Sequence, residues 1–174
     1  MRTLQQFLSD YGDSHRNPLN QWIHIICVPA ILISTLGLFW LIPVGAWLPL
    51  SDSVAFWVNG ATILGVLSGL IYLRLGWWVF LLMAGWFALS LWIILAVLGA
   101  GWSLLWLSLG VWVAAWIVQV YGHKVEGKKP SFVDDLVFLL IGPIFVSIEF
   151  VAKLGVPVPL ALSNRNDHTP ARGH

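Results

Sequence analysis

Charge is what this sequence is shortest of. Asp, Glu, Lys and Arg make up only 10% of its 174 residues, against about 25% in a soluble domain. With 59% hydrophobic residues, that excludes an ordinary water-soluble globule and fits an integral membrane protein. The net charge of +1 gives no basic surface for nucleic acid. There is one cysteine, Cys27. It can form no intrachain disulfide, and its place inside an apolar run makes it a small core residue. Between Met1 and Asp10 no positively charged lead precedes an apolar core and a small-residue cleavage site, so no cleaved signal peptide is predicted. Catalytic signatures are scarce too. There is no His-Glu-x-x-His, no Gly-x-Ser-x-Gly and no glycine-rich phosphate loop. Five histidines are too few for a membrane di-iron centre of the eight-histidine type. Bis-histidine haem needs two ligands deep between helices, whereas these histidines lie at an edge.

What is present is mostly spans. In residues 3–13, Leu4, Phe7, Leu8 and Tyr11 form the stripe of a short amphipathic helix. Four charge-free or nearly charge-free runs follow, at about 22–47, 54–73, 77–98 and 102–121, each near the roughly 20 residues a membrane helix needs. Pro29 is expected to bend or unwind the first, and Pro43 and Pro49 to end it. Residues 132–152 read differently. Their charge-free part, Leu136 to Ile148, is short and contains Gly142-Pro143, which predicts a re-entrant or interfacial hairpin turning there. The expected fold is thus all-α, a polytopic bundle of about four transmembrane helices. To these are added an N-terminal amphipathic helix and a C-terminal re-entrant or interfacial hairpin. Residues 1–162 form a single membrane domain and 163–174 a disordered tail. Turning the last segment back places every Lys and Arg on one side and leaves Asp52 on the other, the charge bias of a cytoplasmic face. Of the twelve tryptophans, those near span ends suit the headgroup region and the rest suit packing.

The topology gathers the polar residues. Ser14-His15-Arg16-Asn17-Pro18-Leu19-Asn20-Gln21-Trp22-Ile23-His24 opens the first span, and Gln119 to Glu126 closes the fourth at the same face. Polar groups at the edge of hydrocarbon are costly and usually functional. His15, His24 and His123 meet there, with Glu126 one turn beyond His123. Three imidazoles and a carboxylate suit Fe(II), Zn(II) or Mn(II), and open positions on such a site suit oxygen chemistry. His15 and His24 are out of phase on one continuous helix, so both can face one metal only if the chain breaks near Pro18. Plainer roles exist for each residue: Asn17 and Asn20 as helix caps, the lysines as a topology signal facing anionic lipid, and Glu126 in a salt bridge. Two other classes of function fit the same residues. One is a non-enzymatic lipid-binding or assembly protein with a structural polar cluster, and the other is a zinc-dependent lipid hydrolase.

His15-x-Asn17-x-x-Asn20-x-x-x-His24, Val28-Pro29 and Gln119-x-x-Gly122-His123-x-x-Glu126-x-x-x-Pro130 resemble a family of fungal and bacterial membrane proteins. These are the relatives of the yeast 2-hydroxy fatty acid dioxygenase, and the resemblance runs from about Leu4 to Lys153. It implies an Fe(II)-dependent step of fatty acid α-oxidation. A long-chain 2-hydroxy fatty acid and O2 give a fatty acid one carbon shorter. The resemblance carries over His15, His24 and His123 as ligands and catalytic residues, with Glu126 completing the set and Glu149 or Asp134 as alternatives. Asn17, Asn20 and Gln119 would orient the imidazoles, and Arg16, Lys124 or Lys128 would pair with the substrate carboxylate. The expected setting is a bacterial inner membrane, with the site at its cytoplasmic face and the acyl tail among the helices. Lys128-Lys129-Pro130-Ser131 departs slightly from the family's pattern and leaves the ligands untouched.

Overall fold

A computed structural model of the chain describes residues 16–127 and 137–155. The amphipathic segment, the tail from Ser163, and His15, Lys128 and Asp134 lie outside them. Six α-helices follow in order among the described residues: α1 (Pro18–Trp40), α2 (Asp52–Trp57), α3 (Gly60–Leu75), α4 (Trp77–Gly99), α5 (Leu104–Glu126) and α6 (Val137–Lys153).

Local chemistry sets the boundaries. Asn17 caps α1, its Oδ1 accepting from the Leu19 N–H at 2.9 Å, and Pro18 takes the first helical position, where its missing N–H costs nothing. α1 therefore starts at Pro18, behind an extended Asn17. Pro29 lies inside α1, which runs on to Trp40 as one helix. Past Pro43, Val44–Trp47 make a single 3-10 turn. The span expected at 54–73 divides because Asn59 builds a capping box. Its Oδ1 accepts from the Ala61 and Thr62 N–H groups at 3.0 and 3.2 Å, while Thr62 Oγ1 accepts from the Asn59 N–H at 3.1 Å. Residues before it form the short α2 instead. Gly76, at φ +140°, alone separates α3 from α4, a backbone angle that favours glycine. Gly127, at φ +75°, ends α5.

Among the described residues, three segments are long and apolar enough to cross a membrane: Pro18–Trp47, α4 and α5. α3 is apolar but 16 residues long, about 24 Å at the helical rise. α1, α3, α4 and α5 alternate in direction. The Gly60 N–H donates to the Ile42 carbonyl at 3.0 Å, tying the start of α3 to the far end of α1, and Glu126 at the end of α5 meets Arg16 and Asn17. All described lysines and arginines (Arg16, Arg74, Lys124, Lys153) consequently lie at one end, and Asp52 at the other.

α1 is the central helix, packing most extensively on α5 and also touching α3, α4 and α6. The α1–α5 seam is antiparallel and close, since Gly37 faces Ser108 and Gly122 faces Asn20 with no room for a Cβ. Two apolar clusters fill the bundle. One is Leu36, Trp40, Ala61, Ile94 and Leu104; the other is Tyr72, Val79, Met83 and Ile144.

α6 corrects one expectation. The chain does not turn at Gly142-Pro143; Pro143 sits inside one continuous helix. The helix survives because it is packed around that point. Ile141, Ile144 and Val146 are buried, Ser147 Oγ donates back to the Pro143 carbonyl at 2.7 Å, and Trp86 Nε1–H donates to Ser147 Oγ at 2.9 Å. Near its start the Leu140 carbonyl accepts from Tyr72 Oη at 3.1 Å, one turn from the end of α3. At its finish Lys153 Nζ donates to Gln21 Oε1 at 3.0 Å, in the first turns of α1. Both ends of α6 thus pack at the basic end of the bundle, and the helix lies across it.

Candidate functional site

The basic end of the α1–α5 seam carries an unusual density of buried polar groups. His24 and His123 are 3% and 4% exposed. Their rings stand edge to face, with centroids 4.8 Å apart and planes at 86°. Gln119, one turn before His123 on α5 and itself buried, brings its Nε2 to 3.0 Å from His24 Nδ1. That contact engages Nδ1 of the His24 ring. Asn20, one turn before His24 on α1, is fully buried at 0% exposure. The four side chains come from i, i+4 pairs on two facing helices, Asn20/His24 and Gln119/His123, which puts each pair on one face.

Glu126, expected on the metal, has a visible task of another kind. Its Oε1 accepts from the Arg16 N–H at 2.9 Å. Its Oε2 accepts from the Asn17 N–H at 2.9 Å and from Asn20 Nδ2 at 3.2 Å. α1 has no acidic residue in its own first turn, and Glu126 supplies one from the other helix, its negative charge over the positive end of the α1 dipole. Asn17 and Asn20 accordingly play different parts: Asn17 caps the helix, and Asn20 joins it to Glu126. Lys124 is exposed at the same end. Glu149 is on α6, where its carboxylate lies 3.7 Å from Lys153 Nζ. Lys153 also stands over the Trp22 ring at 5.4 Å.

From the two histidines a cavity of about 680 Å³ runs into the bundle, within the range of about 300–1,000 Å³ usual for ligand sites. Its α1 wall is His24, Val28, Ile31, Leu32, Thr35 and Leu36, one stripe at helical spacing. Its other walls come from α3, α4, α5 and α6 and are almost wholly apolar. The geometry is a polar pair at one end of a greasy chamber.

The family model described as 2-hydroxy-palmitic acid dioxygenase Mpo1-like matches residues 1–154. The chain belongs to the Mpo1-like family. Among its relatives is the 2-hydroxy-palmitic acid dioxygenase MPO1 of Saccharomyces cerevisiae, 32% identical over 154 residues, which cover 87% of this chain and 82% of the yeast protein. No solved structure matches.

Whether this Mpo1-like site suits a metal can be judged from its donors. Two buried imidazoles at 4.8 Å are close enough for one cation to take a nitrogen from each, and imidazole suits iron and zinc. Among the described residues no group of three or more His, Cys, Asp or Glu is placed to hold an ion. His15, the third expected ligand, directly precedes Arg16, whose N–H is fixed by Glu126. The pair therefore fits a metal site that one further ligand would complete. Sequence reasoning missed the cavity-shaping residues of α3 and α4. A signal was there in Gly65-x-x-x-Gly69, small residues at the spacing that lets apolar helices approach. The rings of Phe87 and Phe80 pack over these two glycines.

Proposed function

We propose that this chain is a dioxygenase of fatty acid α-oxidation, converting a long-chain 2-hydroxy fatty acid and O2 to a fatty acid one carbon shorter with loss of the carboxyl carbon. Fe(II) would be held by His15, His24 and His123. The observation that carries the reading is the His24–His123 pair at the head of an apolar cavity, in a chain of the Mpo1-like family. When bound, iron supplies a redox-active Lewis acid suited to oxygen chemistry.

The protein's own residues do the rest. Gln119 fixes the orientation of the His24 ring, and Asn20 and Glu126 lock the ends of α1 and α5 on which the two histidines sit. The substrate carboxylate stays at the basic end, where Lys124 and Arg16 offer cations, Lys128 lying outside the described residues. The acyl tail enters the cavity, each buried methylene contributing about 0.8 kcal/mol, and the apolar walls exclude water from the reacting end. Since the described cations share the end that carries the histidines, the positive-inside bias puts the site at the cytoplasmic face of a membrane, in this reading a bacterial inner membrane.

Elemental analysis of the purified protein, paired with oxygen uptake on 2-hydroxy acids, tests the reading. Iron co-purifies with the wild type, and His15→Ala, His24→Ala or His123→Ala each lose iron and product. Full activity in the triple variant overturns it. Zinc without oxygen uptake means a hydrolase, and neither metal nor uptake means a lipid-binding protein.

A further inference from the structure

The end of the cavity away from the histidines is as well defined as the polar one. Leu36 lines it and also belongs to the buried cluster with Trp40, Ala61, Ile94 and Leu104 that fills the opposite end of the bundle. Leu64 and Phe87 line the cavity as well and pack against that same cluster. The open space therefore stops where the cluster starts. Phe87 is held from the side too. A Cβ at Gly65 would run into its ring, so the ring rests against the bare backbone of α3.

The depth can be measured along α1. Leu36 is twelve residues beyond His24, about 18 Å at about 1.5 Å per residue. An extended chain of single bonds gains about 1.2 Å per bond, a third of the roughly 3.6 Å that a three-bond peptide residue gains. Eighteen ångströms takes about fifteen such bonds, a chain of about sixteen carbons.

We propose that Phe87, seated on Gly65 and backed by Leu36 and Leu64, is the floor that sets the longest acyl chain the cavity accepts. The inference rests on the reading of the cavity as the acyl site. A chain longer than the cavity cannot run straight past the ring; it must hold its carboxyl end short of the histidines, displace the ring or turn out past the exposed Val66 and Leu70. Behind the ring lies the buried cluster against which Phe87 and Leu64 pack.

Wild type, Phe87→Ala and Leu64→Phe would be compared with saturated 2-hydroxy acids of about twelve to twenty-two carbons. Two readouts are taken separately: turnover, and displacement of a fluorescent fatty acid from the protein. For the wild type, both rise with length and fall off beyond about sixteen carbons. In Phe87→Ala the preference for the acid about four carbons longer, relative to the wild-type optimum, rises about tenfold, the effect of roughly two further buried methylenes. Leu64→Phe narrows the same end and moves the limit to shorter chains, so the floor stays testable should Phe87→Ala fail to fold. Length profiles unchanged in the folded variants overturn the floor; if wild-type turnover persists, the dioxygenase reading stands without it. A binding limit that moves with Phe87 and Leu64 while no variant turns over leaves the floor in place and removes the dioxygenase reading.

Discussion

Glu126 shows what a single side chain can do between two helices. It accepts three hydrogen bonds from residues more than a hundred positions earlier, one of them from the fully buried Asn20. Glu126→Ala leaves Asn20 Nδ2 without that acceptor, a loss of about 1–3 kcal/mol, and removes the negative charge over the start of α1 for about 0.3–1 kcal/mol more. Thermal unfolding in detergent should show Glu126→Ala as the most damaging change at this position. Glu126→Gln, which keeps an acceptor oxygen and loses the charge, should fall between it and wild type. The meeting of His24 with His123 was legible in the sequence, because alternating spans put the start of the first and the end of the fourth on one side. The office of Glu126 was not. Spacing shows it one turn from His123, but nothing in a sequence says that a carboxylate at the end of one helix will cap the start of another.

Among the elements, α3 and α6 separate pattern from packing. The apolar run 54–73 reads as one span, and hydropathy has no means of seeing that Asn59 and Thr62 cap each other within it. Asn59→Ala should cost about 1 kcal/mol and let residues 52–62 rearrange, visible as faster amide exchange at Ala61 and Thr62 than in wild type. Gly142-Pro143 misleads in the opposite direction. An interior proline costs about 3 kcal/mol in an isolated helix, but burial of Ile141, Ile144 and Val146 on its neighbours outweighs that here. The Trp86–Ser147 hydrogen bond is the polar part of this docking. Trp86→Phe should weaken the docking by about 1 kcal/mol and raise proteolysis of α6 over that of the wild type. Unchanged cleavage would mean the apolar contacts alone hold the helix.

For the whole molecule, charge and site coincide. Described cations, the paired histidines and both ends of α6 share one end of the bundle, while Asp52 marks the other. In inside-out vesicles, a membrane-impermeant thiol reagent should modify Lys124→Cys and not Ser51→Cys, Cys27 being buried. The reverse pattern would put the histidines on the outer face.

The same arrangement imposes an order on assembly. His24 and His123 are 99 residues apart, on the first and last of the long helices, and α1's most extensive partner is the helix made after all the others that span. At about 5–20 residues per second, α1 waits roughly 5–20 s in the membrane before α5 arrives. Throughout that interval Asn20 and His24, fully or nearly fully buried in the finished bundle, have no Gln119, His123 or Glu126 to meet. Lone polar side chains in hydrocarbon are costly, which favours a nascent α1 that rides shallow, its first turns drawn toward the headgroups, and sinks only when its counterpart docks. A ribosome stalled before Leu104 would leave a chain with α1, α3 and α4 in place and one histidine among them. The His24–His123 pair can form only once α5 has been made, and a chain cut before Leu104 carries one member of it without the other.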